Sequence, residues 1–208
     1  HQEMLRRFND YEMRIYPSHR PVVYPDAIRQ ASQSNRKTAR LLESASLTGA
    51  DLGVPFPEPK TGAEVMWNHR VRYRGRTQDL YTDETVTFSD GDRLQASRRE
   101  HVLFIYGNPE RVGEVAERNM LLYYVGSVDN VPVVGRALAI VHETADQTRD
   151  KRRIWVSAGN IGRVRRIPPV GYDFPRPGSE GLSFVDQIDM YNGGFNRYVW
   201  KLRGRREM

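Results

Sequence analysis

His142-Glu143-Thr144-Ala145-Asp146 opens like the zinc-protease helix, in which two His one turn apart hold the metal and a Glu activates its water. Asp146 stands where the second His is required, and the segment reads as a strand end. The five His, at 1, 19, 69, 101 and 142, are scattered. No metal site is expected. Asp90-Gly91-Asp92 lacks the oxygen ladder and terminal Glu of a calcium loop and reads as a hairpin turn. The chain has no G-x-G-x-x-G, no P-loop and no G-x-S-x-G. With no Cys there are no disulfides, thiolate metal sites or cysteine nucleophiles. Carboxylates are many, but no spacing pairs two of them for acid–base work. The expectation is a non-enzymatic protein without a cofactor.

Two basic strings remain, Arg163-Val164-Arg165-Arg166 and Arg203-Gly204-Arg205-Arg206, with Trp155, Tyr172 and Trp200 near them in sequence. Interleaved Arg and aromatics bind single-stranded nucleic acid. Alternation in a hairpin, however, splits Arg163 and Arg165 from Arg166, and a solvated strand face is the plainer reading. Charge is uneven along the chain. Residues 149–208 carry 13 basic and 6 acidic residues, and residues 1–148 carry 19 and 20. Four of the 32 basic residues are Lys (Lys37, Lys60, Lys151 and Lys201). Arg forks phosphate and carboxylate, although a GC-rich genome produces the same bias. A net +6 against 26 acids is modest for a nucleic-acid binder, and none is expected as partner.

The elements are short, because Gly and Pro punctuate the chain. Tyr11 to Tyr16 alternates like a strand. Pro25 opens a short helix with Ala27, Ile28 and Ala31 on one face, and Thr38 to Leu42 reads as a strand. Residues 49–60 are a loop. Thr61-Gly62-Ala63-Glu64 fits a capping box, followed by Ala63, Met66, Trp67 and Val71 at helical spacing. Glu64, Asn68 and Arg72 lie on the opposite face. Strands follow: Glu84–Ser89, Leu94–Tyr106, Met120–Val128, Val133–Thr144, Arg153–Ser157 and Ile161–Ile167. Residues 168–181 are a loop, and Gly181 to Asn192 holds a helical turn. Arg197 to Arg203 alternates as a strand with Tyr198, Trp200 and Leu202 inward.

Successive strands with short turns predict an antiparallel meander, in an α+β chain that is mainly β. Several strands are apolar on both sides, as where Leu121, Tyr123 and Val125 oppose Met120, Leu122 and Tyr124. One side meets helices. The other meets a second sheet, a missing part of the chain, a partner or an apolar ligand. At 208 residues, with 38% apolar residues and a mean hydropathy of −0.68, one domain spanning 1–208 is expected. The longest uncharged apolar stretch is too short to cross a bilayer.

Several strings resemble a proteobacterial family filed as domain of unknown function 1329. They are Gly53 to Gly75 with Pro55-Phe56-Pro57 and His69-Arg70-Val71-Arg72-Tyr73-Arg74, then Val141-His142-Glu143-Thr144 with Asp146-Gln147. Arg163-Val164-Arg165-Arg166, Tyr172-Asp173, Asp186 to Gly193, and Trp200-Lys201-Leu202 with Gly204 and Glu207-Met208 continue the match. Glu58 and Val199 depart from the family's usual pattern. The resemblance implies an internal portion of a longer exported protein, with a signal peptide in its full-length form. It implies a location in the periplasm or at the outer-membrane periphery of a Gram-negative bacterium. The implied fold is like that of the lipoprotein carriers LolA and LolB, a curved antiparallel sheet partly wrapped around a few short helices as a half-barrel, incomplete in this chain. The implied role is lipid or hydrophobe handling with a resistance–nodulation–division transporter and an outer-membrane protein. No catalytic residue comes with it.

The expected function is a periplasmic carrier for a lipid or other hydrophobic ligand. The alternative is an outer-membrane-associated adaptor that docks a protein partner without lipid. Phe56, Met66, Trp67, Tyr124 and Trp155 are the expected ligand-lining residues. Arg163, Arg165 and Arg166 are the expected contacts to anionic headgroups in a peripheral membrane encounter, or to a partner.

Overall fold

A computed structural model of the chain describes residues 6, 23–131, 135–159, 163–169 and 174–204. The expected strand Tyr11–Tyr16 lies outside the described residues, as do Tyr172-Asp173 and Glu207-Met208.

Helix α1 (Asp26–Thr38) begins directly after Pro25 and runs longer than expected, so that the following strand β1 (Arg40–Leu42) starts beyond Thr38. Ile28 and Asn35 form its buried stripe, seven residues apart. Asn35 Nδ2 donates to the carbonyls of Leu52 at 2.6 Å and Val54 at 3.1 Å, and Ser32 Oγ accepts from Val54 N at 2.8 Å. Polar groups of the helix thereby fix the loop that follows. Strand β2 (Ser46–Thr48) pairs antiparallel with β1.

Helix α2 (Gly62–Arg70) has the expected capping box. Thr61 Oγ1 accepts from Glu64 N at 3.2 Å and Glu64 Oε2 accepts from Thr61 N at 3.0 Å. Trp67 is fully buried, with Nε1 donating to Ser44 O at 2.9 Å. The polar side of α2 is not a solvated face. Asn68 accepts from Phe56 N at 2.9 Å and donates to Phe56 O at 2.7 Å, stapling the proline loop to the helix.

The main sheet is an antiparallel meander in the order β3 (Thr77–Thr87), β4 (Arg93–Phe104), β5 (Leu122–Val131), β6 (Gly135–Glu143), β7 (Arg153–Ala158), β8 (Arg165–Ile167). It is open, not closed on itself, and is consistent with an incomplete half-barrel. Asp90-Gly91 forms the β3–β4 turn, with Phe88 N donating to Asp92 O at 2.9 Å and Gly91 at φ 95°. The one-turn helix α3 (Glu114–Arg118) links β4 to β5. A short 3₁₀ turn at Val185–Gln187 fills the expected helical turn.

Arg197–Arg203 departs from expectation. Phe195–Arg197 is a 3₁₀ turn, and Tyr198–Arg203 runs extended outside any strand ladder. Trp200 points inward, but Tyr198 and Leu202 are 49% and 44% exposed. Alternation sets which side a residue faces. It does not supply a strand to pair with.

The core lies off one end of the sheet rather than over its face. Trp67, Val71, Ile105, Tyr106, Met120, Leu121, Ala145 and Phe195 pack together where β4 ends, β5 begins and β6 ends. Leu47 N donates to Ala145 O at 3.2 Å and Leu121 N to Glu143 O at 2.8 Å, which ties the small sheet and the main sheet into that core. Among the described residues no helix is long and apolar enough to cross a membrane.

Thr61→Ala removes half of the capping box. It is expected to lower stability by about 1 kcal/mol in chemical denaturation, with the Phe56 loop still in place.

Candidate functional site

Register places residues in rows across the strands, and paired residues share a face. One face carries Val102, Tyr124, Val141, Ile154 and Ile167 in a single row. The next row on that face is Glu100, Gly126, Ala139 and Val156. Val128 and Ala137 follow. Branched and aromatic side chains thus adjoin small ones in an apolar strip, the trough, in which Tyr124, Val141 and Ala139 are half-buried and Gly126 and Ile154 are buried. Tyr124 lies along it. A Cβ at Gly126 would overlap the Tyr124 phenol, so Gly126 is what lets that ring lie flat. The Tyr124 hydroxyl donates to Glu100 Oε1 at 2.7 Å. Burial first, and then this bond, push the phenol well above its ordinary pKa and keep it protonated.

Each end of the trough is closed by charge. At one end the loop 174–184 crosses the sheet. Gly178 sits so close that a Cβ would stand 3.1 Å from Ala96 Cβ and 3.2 Å from Val128 Cγ1. Arg98 Nε lies 3.0 Å and Arg176 Nη2 lies 3.2 Å from Glu84 Oε1, and Arg98 donates to the Pro177 carbonyl. At the other end Glu143, 5% exposed, lies between Arg70 at 3.2 Å and Arg152 at 2.6 Å. Arg70 Nη2 donates to Gly193 O at 2.6 Å, and Arg152 Nη2 donates to Asn192 O at 2.8 Å. Burial pulls the Arg70 pKa down, and Glu143 opposes that shift.

A second carboxylate, Asp189, extends this cluster. Arg72 forks it with both nitrogens, Nη1 at 2.9 Å, and Arg74 Nη1 lies 3.5 Å away. His69 Nε2 lies 2.8 Å from the Asp189 carbonyl oxygen. Burial alone would raise the Asp189 carboxyl, but the bond and charge of Arg72, with Arg74 and His69, bring it below its ordinary value. Asp189 and Met190 both have positive φ, at 56° and 68°, strained values for non-glycine residues. Strings that lie far apart in the sequence, around residues 70, 143 and 192, therefore converge on one buried ion cluster.

The opposite face is also apolar. Val125, Ile140 and Trp155 form one row, with Arg166 beside it. His142 lies between Tyr123 at 4.7 Å and Trp155 at 4.6 Å, and the Arg166 guanidinium is 5.9 Å from the Trp155 ring centroid. Burial, and then the charge of Arg153, lower the His142 pKa and leave its imidazole neutral at neutral pH.

The five expected lining residues do not come together. Tyr124 lies in the trough, and Trp155 lies on the other face. Trp67 is in the core, in edge contact with Phe195 at 5.1 Å, and Met66 packs against that core. Phe56 lines a separate open groove of about 830 Å³ with Leu41, Pro55, Pro57, Val199 and Trp200. Arg163, Arg165 and Arg166 are exposed. Sequence reasoning missed Glu143, Gly126 and Ala139. Glu143 alternates with His142 and shares its face with Val141, so a charge on an inward position was the available signal. Small residues at alternate positions were the signal for the trough.

An open antiparallel meander with helices docked at its end, carrying an apolar trough closed by ion clusters, defines an α+β protein of the half-barrel kind. The chain belongs to the family described as Protein of unknown function (DUF1329), whose model matches residues 1–208. It is 34% identical over 217 residues to an uncharacterized protein of Pseudomonas aeruginosa, an alignment covering 99% of this chain and 45% of that protein. The chain thus spans less than half the length of this relative. No solved structure matches.

Glu143→Ala leaves two buried guanidinium groups uncompensated and is expected to cost about 3–5 kcal/mol in urea unfolding. Asp146 joins Asp189 below the ordinary value of 3.8, chiefly through the bond from the Thr148 hydroxyl. The unfolded chain therefore takes up protons first on acidification. Stability from these groups is present above about pH 3.8 and lost as pH falls through the folded values. Asp189→Asn should flatten that acid limb of an unfolding-against-pH profile.

Proposed function

We propose that the protein is a non-enzymatic carrier for a lipid or other hydrophobic ligand, and that the trough is where the ligand lies. The observation that carries this reading is the row of half-buried Val102, Tyr124 and Val141 with buried Ile154, beside buried Gly126 and half-buried Ala139, between two charged ends. Small residues beside branched ones suit an unbranched chain. Each methylene moved from water into such a site contributes about 0.8 kcal/mol. Polar groups, Glu100 with Tyr124 within the trough and Arg98 with Glu84 at one end, set an orientation for a polar head. The family resemblance supports a periplasmic setting, with a resistance–nodulation–division transporter and an outer-membrane protein as working partners.

The test is to fill the trough. Ala139→Phe should reduce binding of a pyrene-labelled fatty acid by at least about tenfold while the protein stays folded. Ile140→Thr, on the opposite face, should leave that binding unchanged. Equal binding by wild type and Ala139→Phe would contradict the proposal.

A second reading is an adaptor that docks a protein on the face bearing Val125, Ile140 and Trp155, with Val125 41% exposed. It would be favoured if Ile140→Thr abolished capture of the transporter or outer-membrane partner and no hydrophobe bound at all.

A further inference from the structure

In the extended strip after the 3₁₀ turn, Trp200 and Tyr198 pack inward on Tyr191, with ring centroids 5.0 and 5.8 Å from it, and Val199, Lys201, Leu202 and Arg203 are exposed. Trp200 Nε1 donates to Phe195 O at 2.8 Å, and its ring meets Tyr191 at 5.0 Å and Phe195 at 5.8 Å. A Cβ at Gly62 would stand 2.5 Å from the Trp200 carbonyl carbon, so the strip lies directly on the first turn of α2. Val199 is 87% exposed and Leu202 is 44% exposed. Lys201 and Arg203 are exposed beside them. Lys60, also exposed, shares the adjoining groove with Val199. From Met190 to Arg206 the sequence has no acidic residue. Of the acids in that groove, Glu58 is paired with Arg36 at 3.1 Å and Glu64 is occupied in the helix cap. Glu43 is the third.

We infer that this strip rests on an anionic lipid surface. An apolar side chain standing 87% exposed among cations, beside a backbone packed on the first turn of α2, matches the boundary between headgroups and acyl chains. Tyr198, half-exposed at the same edge, suits that amphipathic depth. Val199 and Leu202 enter the interface, while Lys60, Lys201 and Arg203 meet lipid phosphates. This contact is separate from Arg163, Arg165 and Arg166. It deepens the membrane side of the carrier reading, and its test does not depend on whether the trough is filled.

The full natural chain is floated with vesicles of phosphatidylglycerol and phosphatidylethanolamine, and with phosphatidylcholine vesicles as control. Wild type should float with the anionic vesicles and be released by high salt. Lys201→Glu/Arg203→Glu should weaken flotation by about fivefold or more per charge, and Val199→Asp should weaken it as well. Should Val199→Asp fail to fold, the exposed charge pair decides alone. Absence of flotation by folded wild type overturns the inference, as does flotation unchanged by both variants. Protection of a Val199→Cys thiol from maleimide before vesicles are added would also overturn it, because another part of the polypeptide would then cover the strip. Capture of an acidic protein without vesicle binding would overturn it in favour of a protein partner.

Discussion

Glu143 is the charge on which the rest of the structure depends. It ends β6 on the trough side of the sheet and is 5% exposed, with Arg70 of α2 and Arg152 of the β6–β7 connection on either side. A carboxylate so buried is stable only while both guanidinium groups stay. Those groups reach onward to Gly193 and Asn192, which brings the 189–200 segment against the helix. Four stretches of chain therefore meet around one charge. The core behind it, with Trp67 and Phe195 in edge contact, needs the same four stretches in place. Buried ions fix geometry more than they add stability, and here the geometry is the closed end of the trough.

With its core gathered off one end, the sheet has an apolar row on each face, and on one face Ile154 and Val128 are buried. That face carries the small residues Gly126, Ala137 and Ala139 and is crossed by the loop at Gly178. The other carries the row Val125, Ile140 and Trp155, with Arg166 beside it. Side-chain size separates the two: a strip with small residues suits a chain-like ligand, and a row of large apolar residues suits a protein surface. The chain spans less than half of its Pseudomonas relative, so the second face and the open sheet edges belong to the account of the longer protein.

Local rules were enough for the local elements. Thr61 and Glu64 stand three residues apart and cap α2 as that spacing requires. Period-two patterns with Asp90-Gly91 between them were enough for the meander. Contacts between distant strings were not legible. His142-Glu143 reads as a failed zinc motif, and only its alternation with Val141 hints that Glu143 points inward. Tyr124 and Trp155 are both large and aromatic, and nothing in the sequence alone puts them on different faces. Register separates them, since Tyr124 pairs with Val141 and Trp155 with Ile140. Tyr198 to Leu202 alternates as a strand should, but Trp200 and Tyr198 are held by rings rather than by a strand, and among the described residues the strip joins no ladder.

Mass spectrometry of a solvent extract from the purified full natural protein tests the central claim most directly. A carrier is expected to yield a stoichiometric hydrophobe above a mock-purified control, and the yield should fall when Ala139→Phe is extracted in the same way. An empty extract from folded wild-type protein, or the same hydrophobe in equal amount from Ala139→Phe, would contradict the claim that the trough holds the ligand.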